Sequence, residues 1–154
     1  MLWISAGTRG VVLDINLFLT RLRTFDNKYL RIPNDSVANA KIINLSYYDI
    51  RRLEIPVEIA YKDDVGTAVE VITGVVTDNK NILAEPEPQV LVSGFGESSI
   101  DIVVRVWVQR SEIFGAKTEL IMGIKTALEE AGIEIPFPYR TLTFDEGELE
   151  RLKK

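Results

Sequence analysis

The 154-residue chain contains no cysteine and no histidine. Without cysteine there are no disulfides and no thiol nucleophile, and without either residue the usual zinc sites and Ser-His or Cys-His pairs cannot be built. No run approaches the ~18 consecutive apolar residues that read as a membrane-crossing helix. The N-terminus lacks the basic-then-apolar pattern of a secretory signal. Internal repeats and low-complexity segments are also absent. What remains is a chain with ordinary globular composition, 46% hydrophobic and 27% charged, long enough to bury a real core as one domain or two small ones.

Charge is unevenly placed. Residues 1–62 carry nine Lys/Arg against six Asp/Glu, a net +3, whereas residues 63–154 carry nine against seventeen, a net −8. The acidic larger part argues against a nucleic-acid-binding face there. The mildly basic first part suits anions or anionic headgroups, or simply a solvated sheet surface.

The first third is organised around Arg23–Asn34. Asp26-Asn27-Lys28 is a polar turn between Leu17–Phe25 and Tyr29–Ile32. Asn and Asp tolerate left-handed backbone angles, so a two-residue hairpin is expected, with Pro33 ending the second strand. Asn34, Asp35 or Ser36 is placed to cap a short helical turn running to Lys41. Upstream, Ala6–Gly10 reads as a turn and Val11–Ile15 as a strand.

From Arg51 to Tyr61 apolar residues alternate: Leu53, Ile55, Val57, Ile59 and Tyr61 share one face of a strand. Pro56, in the opposite phase, marks an edge or bulge. Asp63-Asp64 precede a stripe of Val65, Ala68, Val69, Ile72, Val75 and Val76 at helical spacing. With no third ligand nearby, the two aspartates read as helix caps rather than a metal site.

Glu85-Pro86-Glu87-Pro88 is expected to be an extended connector. Val90–Phe95 and Ile100–Val108 are two further strands. The Gly94–Ser99 loop between them leads into a strand, not a helix, so it is a hairpin turn rather than a phosphate loop. Asp101, Val103, Arg105 and Trp107 form a half-polar face suited to packing against a neighbouring domain or subunit. A second helix over 111–131 carries Ile113, Leu120, Ile121, Ile124 and Leu128, with Ser111 as N-cap and Gly132 at the C-terminal cap position. Gly115, Ala116 and Gly123 would admit a close neighbour. The order strand, helix, strand, strand, helix predicts a ferredoxin-like α+β arrangement.

Beyond Pro136-Phe137-Pro138, Thr141-Leu142-Thr143-Phe144 alternates as a last short strand, and 145–154 is a charged tail. Two prolines separate this strand from the preceding helix, leaving it no sequence neighbour. Pairing with other copies would satisfy its backbone groups. Thr141, Leu142, Thr143 and Phe144 are therefore the candidate oligomer-barrel residues, with Leu142 and Phe144 on one face.

Several of these stretches together resemble a known family. Arg23-Thr24-x-Asp26-x-Lys28, Ile32-Pro33-Asn34, Ile42-Ile43-Asn44-Leu45-Ser46, Val103-Val104-Arg105-Val106-Trp107, Ala131-Gly132-Ile133 and Pro136-Phe137-Pro138 occur in the order seen in the small-conductance mechanosensitive channel family. The resemblance covers residues 3 to 145. It implies a β + α/β architecture: an N-terminal Sm-like β domain over 1–50, a ferredoxin-like α+β domain over 51–138, and a C-terminal barrel strand and tail over 139–154. It further implies the cytoplasmic cage of a cell-membrane channel, a homo-oligomer and specifically a homoheptamer, passing ions and small solutes. A pore-lining membrane segment would lie immediately upstream, so that the chain is either an excised fragment or a product lacking its pore. No catalytic residue, cofactor, metal or nucleic-acid partner is expected. The contrasting reading is a soluble Sm-like oligomeric scaffold or RNA-binding protein, which would show a basic stripe with stacking aromatics. An enzyme would need a nucleophile–base pair, and none can be assembled.

Overall fold

The computed structural model of the chain describes residues 2–4 and 8–140. The expected strand Thr141–Phe144 and the charged tail lie outside the described residues. Contacts divide the chain into two compact units, Met1–Arg51 and Arg52–Lys154.

The first unit is an antiparallel sheet of β1 (Leu2–Ile4), β2 (Thr8–Ile15), β3 (Leu19–Thr24), β4 (Tyr29–Pro33) and β5 (Ile42–Asn44), with one helical turn, α1 (Asn34–Ala38). Strand order is β4-β3-β2-β1-β5. The expected turn over Ala6–Gly10 is not seen at its last three residues: Thr8, Arg9 and Gly10 belong to β2 and pair with β1. Gly10 is required there: a Cβ would lie 2.8 Å from the backbone oxygen of Arg23. Pairing of β2 with β3 slips at Leu13, between Val12 and Asp14, which marks a β-bulge.

The central hairpin has three loop residues, not two. Asn27 N–H donates to Thr24 O, and Thr24 N–H donates to Lys28 O. Asn27 is left-handed with φ of 62°, as a type I turn followed by a bulge residue demands. The helical turn after β4 also differs from expectation. It ends at Ala38, its N-cap position is Pro33, and no side chain caps it. Asn34 is committed elsewhere: its Oδ1 accepts from Thr20 Oγ1 at 2.8 Å and its Nδ2 donates to Asn16 O at 2.7 Å.

Strand β6 (Ile50–Ile59) starts in the first unit and runs from Arg52 onward in the second, which also holds α2 (Val65–Asp78), β7 (Gln89–Phe95), β8 (Ile100–Gln109), a 3-10 turn (Arg110–Glu112) and α3 (Ile113–Glu130). Sheet order is β6-β8-β7, with β7 and β8 antiparallel. Pro56 therefore sits on an edge strand of this sheet, the place within a sheet where proline is tolerated. Every second residue of β6 from Leu53 and of β8 from Ile100 is buried, facing Ala68, Ile72 and Val76 of α2 and Ala116, Leu120 and Ile124 of α3. Tyr61 leaves this pattern. The strand ends at Ile59, Ala60 turns inward, and Tyr61 is 52% exposed while its hydroxyl donates to Gly96 O.

Of the two aspartates, Asp64 caps α2 by accepting from Thr67 N at 2.7 Å, while Asp63 accepts from Glu134 N instead. Ser111 lies in the 3-10 turn, Glu112 holds the N-cap position of α3, and no side-chain bond is made there. At the other end the glycine cap forms as expected. Gly132 has φ of +73°, Gly132 N–H donates to Glu129 O and Ile133 N–H to Leu128 O. That is the Schellman pattern, with Leu128 and Ile133 supplying its apolar contact. Gly123 permits the close approach of α2, since a Cβ would lie 3.0 Å from Val75 Cγ1; Gly115 faces open space. The Glu85–Pro86 peptide in the connector is cis.

Candidate functional site

Among the described residues, no group of three metal-ligating side chains converges. No helix among them is long and apolar enough to cross a membrane. Three surfaces carry the chain's chemistry instead.

The first is the apolar exterior of the β unit. Among its described side chains only Leu22 is a buried large hydrophobe, while Leu17 is 82% and Phe18 is 74% exposed. Ile15, Phe25, Tyr29, Tyr47 and Tyr48 are exposed as well. The β2–β3 turn holds Leu17 and Phe18 outward on a fixed backbone. Asn16 Oδ1 accepts from Phe18 N at 3.0 Å and Leu19 N at 2.8 Å, and Asn34 N–H donates to Phe18 O. Apolar exposure on this scale marks a surface that another molecule covers. Alternation in the sequence does not reveal it, since Val, Leu and Ile are expected to face inward.

The second is the outer face of the α+β sheet. Asp101, Val103, Arg105 and Trp107 of β8 are half-buried there, with Arg105 opposite Gln89 and Val103 opposite Leu91. Glu54 Oε1 lies 2.7 Å from Arg52 Nη2 and 3.2 Å from Arg105 Nε. The second contact is misaligned and leaves Arg105 Nε without a hydrogen bond. Such half-exposed pairs contribute about 0–1 kcal/mol, so their role is to shape a face rather than to hold the unit together.

The third is the strap Ile133–Tyr139, leading toward the candidate barrel residues. Ala60 N–H donates to Glu134 O at 3.0 Å, and Glu134 N–H donates to Asp63 Oδ2 at 2.7 Å. Lys62 Nζ donates to the Glu134 carboxylate, which also accepts from Tyr139 OH at 2.8 Å. Tyr139 N–H donates to Ser98 Oγ at 3.3 Å. Segments far apart in sequence meet here, so no local pattern announces them.

This network sets pH dependence. The Lys62 ammonium, and then the Tyr139 hydroxyl, hold the Glu134 carboxyl below its ordinary 4.5. The Thr67 amide, and then its hydroxyl, hold Asp64 below 3.8. Depressed folded-state values mean that the unfolded chain takes up these protons first. The stabilisation is complete above the ordinary values and is lost as pH falls through the folded ones. Glu134 in turn raises Lys62 and Tyr139, whose contribution is present below their ordinary 10.5 and 10.0 and lost as pH rises through the folded values. A D64N/E134Q variant should therefore show a shallower acid decline in thermal midpoint than the parent chain. An unchanged acid slope would disprove the linkage.

The candidate residues Thr141, Leu142, Thr143 and Phe144 lie outside the described residues, so none is placed on these surfaces.

Comparison with known proteins supplies the family. Residues 53–135 match the family described as mechanosensitive ion channel MscS, C-terminal, and residues 3–47 match the mechanosensitive ion channel β-domain. An uncharacterized MscS family protein of Archaeoglobus fulgidus is 44% identical over 138 residues, covering 90% of this chain and 49% of that protein. The small-conductance mechanosensitive channel of Helicobacter pylori is 35% identical over 133 residues, covering 86% of this chain and 48% of that protein. The closed-state crystal structure of the Helicobacter pylori MscS superposes with a TM-score of 0.87 at 33% identity, covering 93% of this chain and 57% of that one. The chain thus spans about half the length of the curated relatives it matches. Its mixed architecture, two small sheets with helices, is that of the matched part of the solved channel. Channels of this kind are membrane proteins and not an enzyme class. Two family matches side by side, one on each unit, and a solved channel that follows both place this chain in the MscS family of mechanosensitive ion channels.

Proposed function

We propose that the chain forms the cage, or vestibule, of a small-conductance mechanosensitive channel on the cytoplasmic side of the cell membrane. Copies assemble into a homo-oligomer, specifically a heptamer, and ions and small solutes pass through charged openings before reaching the pore. The membrane-embedded pore belongs to the part of the relatives that this chain does not cover. The three-part division is 1–50 as an Sm-like β domain, 51–138 as a ferredoxin-like α+β domain, and 139–154 as barrel strand and tail. The ferredoxin-like description is supported by the order β6-β8-β7 with α2 between β6 and β7.

The observation that carries the proposal is the β unit's surface, with one large hydrophobe buried among its described side chains and several exposed. Covering by identical neighbours resolves that imbalance, and ring closure covers every copy alike. Thr141–Phe144 then joins the same strand of the other copies, with Leu142 and Phe144 on one face of a small barrel.

Light scattering on the intact chain should give a mass several times that of one copy. Deleting residues 139–154 should weaken the assembly, moving its dissociation midpoint to higher concentration while the helical signal of the α+β unit persists. An unchanged midpoint would remove the barrel from the proposal. A monomeric intact chain at micromolar concentration would remove assembly of this portion by itself.

A further inference from the structure

We infer that the first unit carries a binding site for the phosphate group of an anionic ligand, formed by Arg9 and Arg51 around an aliphatic slot. A cavity of about 310 Å³ is lined by Arg9, Ile43, Leu45 and Arg51, a size at the lower end of small-ligand sites. Sheet register explains the convergence of residues so distant in sequence. Arg9 of β2 lies opposite Trp3 of β1, and Trp3 lies opposite Ile43 of β5, so one cross-strand row brings Arg9 and Ile43 to the same face. Leu45 lies in the turn directly after β5, and Arg51 enters from the start of β6.

Neither guanidinium has a carboxylate partner among the described residues, whereas Arg21 is paired with Asp14 and Arg52 with Glu54. Two permanent cations at one cavity repel each other, and an anion between them removes that repulsion. The planar donor fork of arginine matches phosphate oxygens in pairs, which a point-charge lysine does not do. Half-buried Ile43 and Leu45 replace water along the slot, favouring a phosphate that carries an apolar substituent over a fully hydrated ion. The net positive charge of residues 1–62 works in the same direction. The phosphate has two sources, a free phosphate ion or a lipid headgroup.

The test uses the intact chain at an assembling concentration, an R9Q/R51Q variant and a charge-retaining R9K/R51K variant, with the mass of each measured first. Inorganic phosphate is titrated by NMR, and flotation is measured with phosphatidylglycerol and with phosphatidylcholine vesicles. The parent is expected to bind phosphate saturably, or to float with anionic and not neutral vesicles. The first result alone identifies a free-phosphate site and the second a headgroup site. R9Q/R51Q should bind about thirty-fold more weakly, as loss of two cations at about 1 kcal/mol each implies, with R9K/R51K in between. Absence of binding to both probes, or undiminished binding by R9Q/R51Q at parental mass, would overturn the site. So would loss of assembly in R9Q/R51Q without any phosphate dependence in the parent, since a second copy's carboxylate would then be the occupant.

Discussion

Replacing Leu120 by alanine is expected to destabilise the α+β unit by about 3–5 kcal/mol, while Ile121→Ala, one residue further on, costs under about 1 kcal/mol. Leu120 is fully buried and Ile121 is 46% exposed. Leu120 belongs to the cluster that joins α3 to β6, β8 and α2, so truncation removes its transfer energy and leaves a cavity the sheet cannot close. Ile121 is rotated by about 100° on the helix and lines an open groove beside Pro56 and Lys125, where shortening the side chain leaves no enclosed void. Denaturant unfolding followed by helical circular dichroism reads this unit, since α2 and α3 hold nearly all the described helix. Equal losses at the two positions would mean that the core does not lie where the buried stripe puts it.

The same pair shows how far the sequence could be read. Strands β6 and β8 were legible because a period of two has only two phases, and Leu53, Ile55, Val57 and Ile59 leave no doubt which is buried. A helix offers a continuum of phases, and apolar Ile121 beside Leu120 widened the expected stripe beyond the true one, which runs Ile113, Ala116, Leu120, Ile124, Leu128. Caps were legible where one side chain has one local task, as with Asp64 and Gly132. They were misread where tertiary structure claimed the group first: Asn34 serves the β2–β3 turn, and Asp63 holds the strap. The bulge at Leu13 and the three-residue hairpin loop depend on pairing register, which residue type alone leaves open. The surfaces were least legible. Arg9 and Arg51 come to line one cavity, and Lys62 meets Tyr139 through Glu134, only after the chain has folded across many residues.

Residues 52–140 produced alone are expected to fold cooperatively as a monomer, and residues 1–51 produced alone are expected not to fold. Buried apolar area separates the two units. The second unit closes a cluster of eighteen buried apolar residues between one sheet and two helices, and full burial of each large aliphatic side chain contributes about 1.5–3 kcal/mol. The first unit has a complete ladder of five strands, but ladder hydrogen bonds contribute little net stability because water competes for them. Chain ordering costs about 1–2 kcal/mol per residue, and among its described side chains Leu22 is the single large hydrophobe buried to offset that cost. A unit of this size is marginal even with a filled core. Burial among the described side chains does not offset that cost, and covering of the apolar exterior at Leu17, Phe18 and Tyr29 in an assembly would supply the remainder. Amide hydrogen exchange separates the cases. Fragment 52–140 should show slowly exchanging amides in β8 and α3, and fragment 1–51 should exchange at unfolded rates. In the intact chain, protection of β2 and β3 should fall on dilution through the dissociation midpoint while protection of β8 does not. A monomeric 1–51 fragment with a cooperative melt would show that the exposed hydrophobes are an ordinary wet surface, and assembly would lose its physical motive.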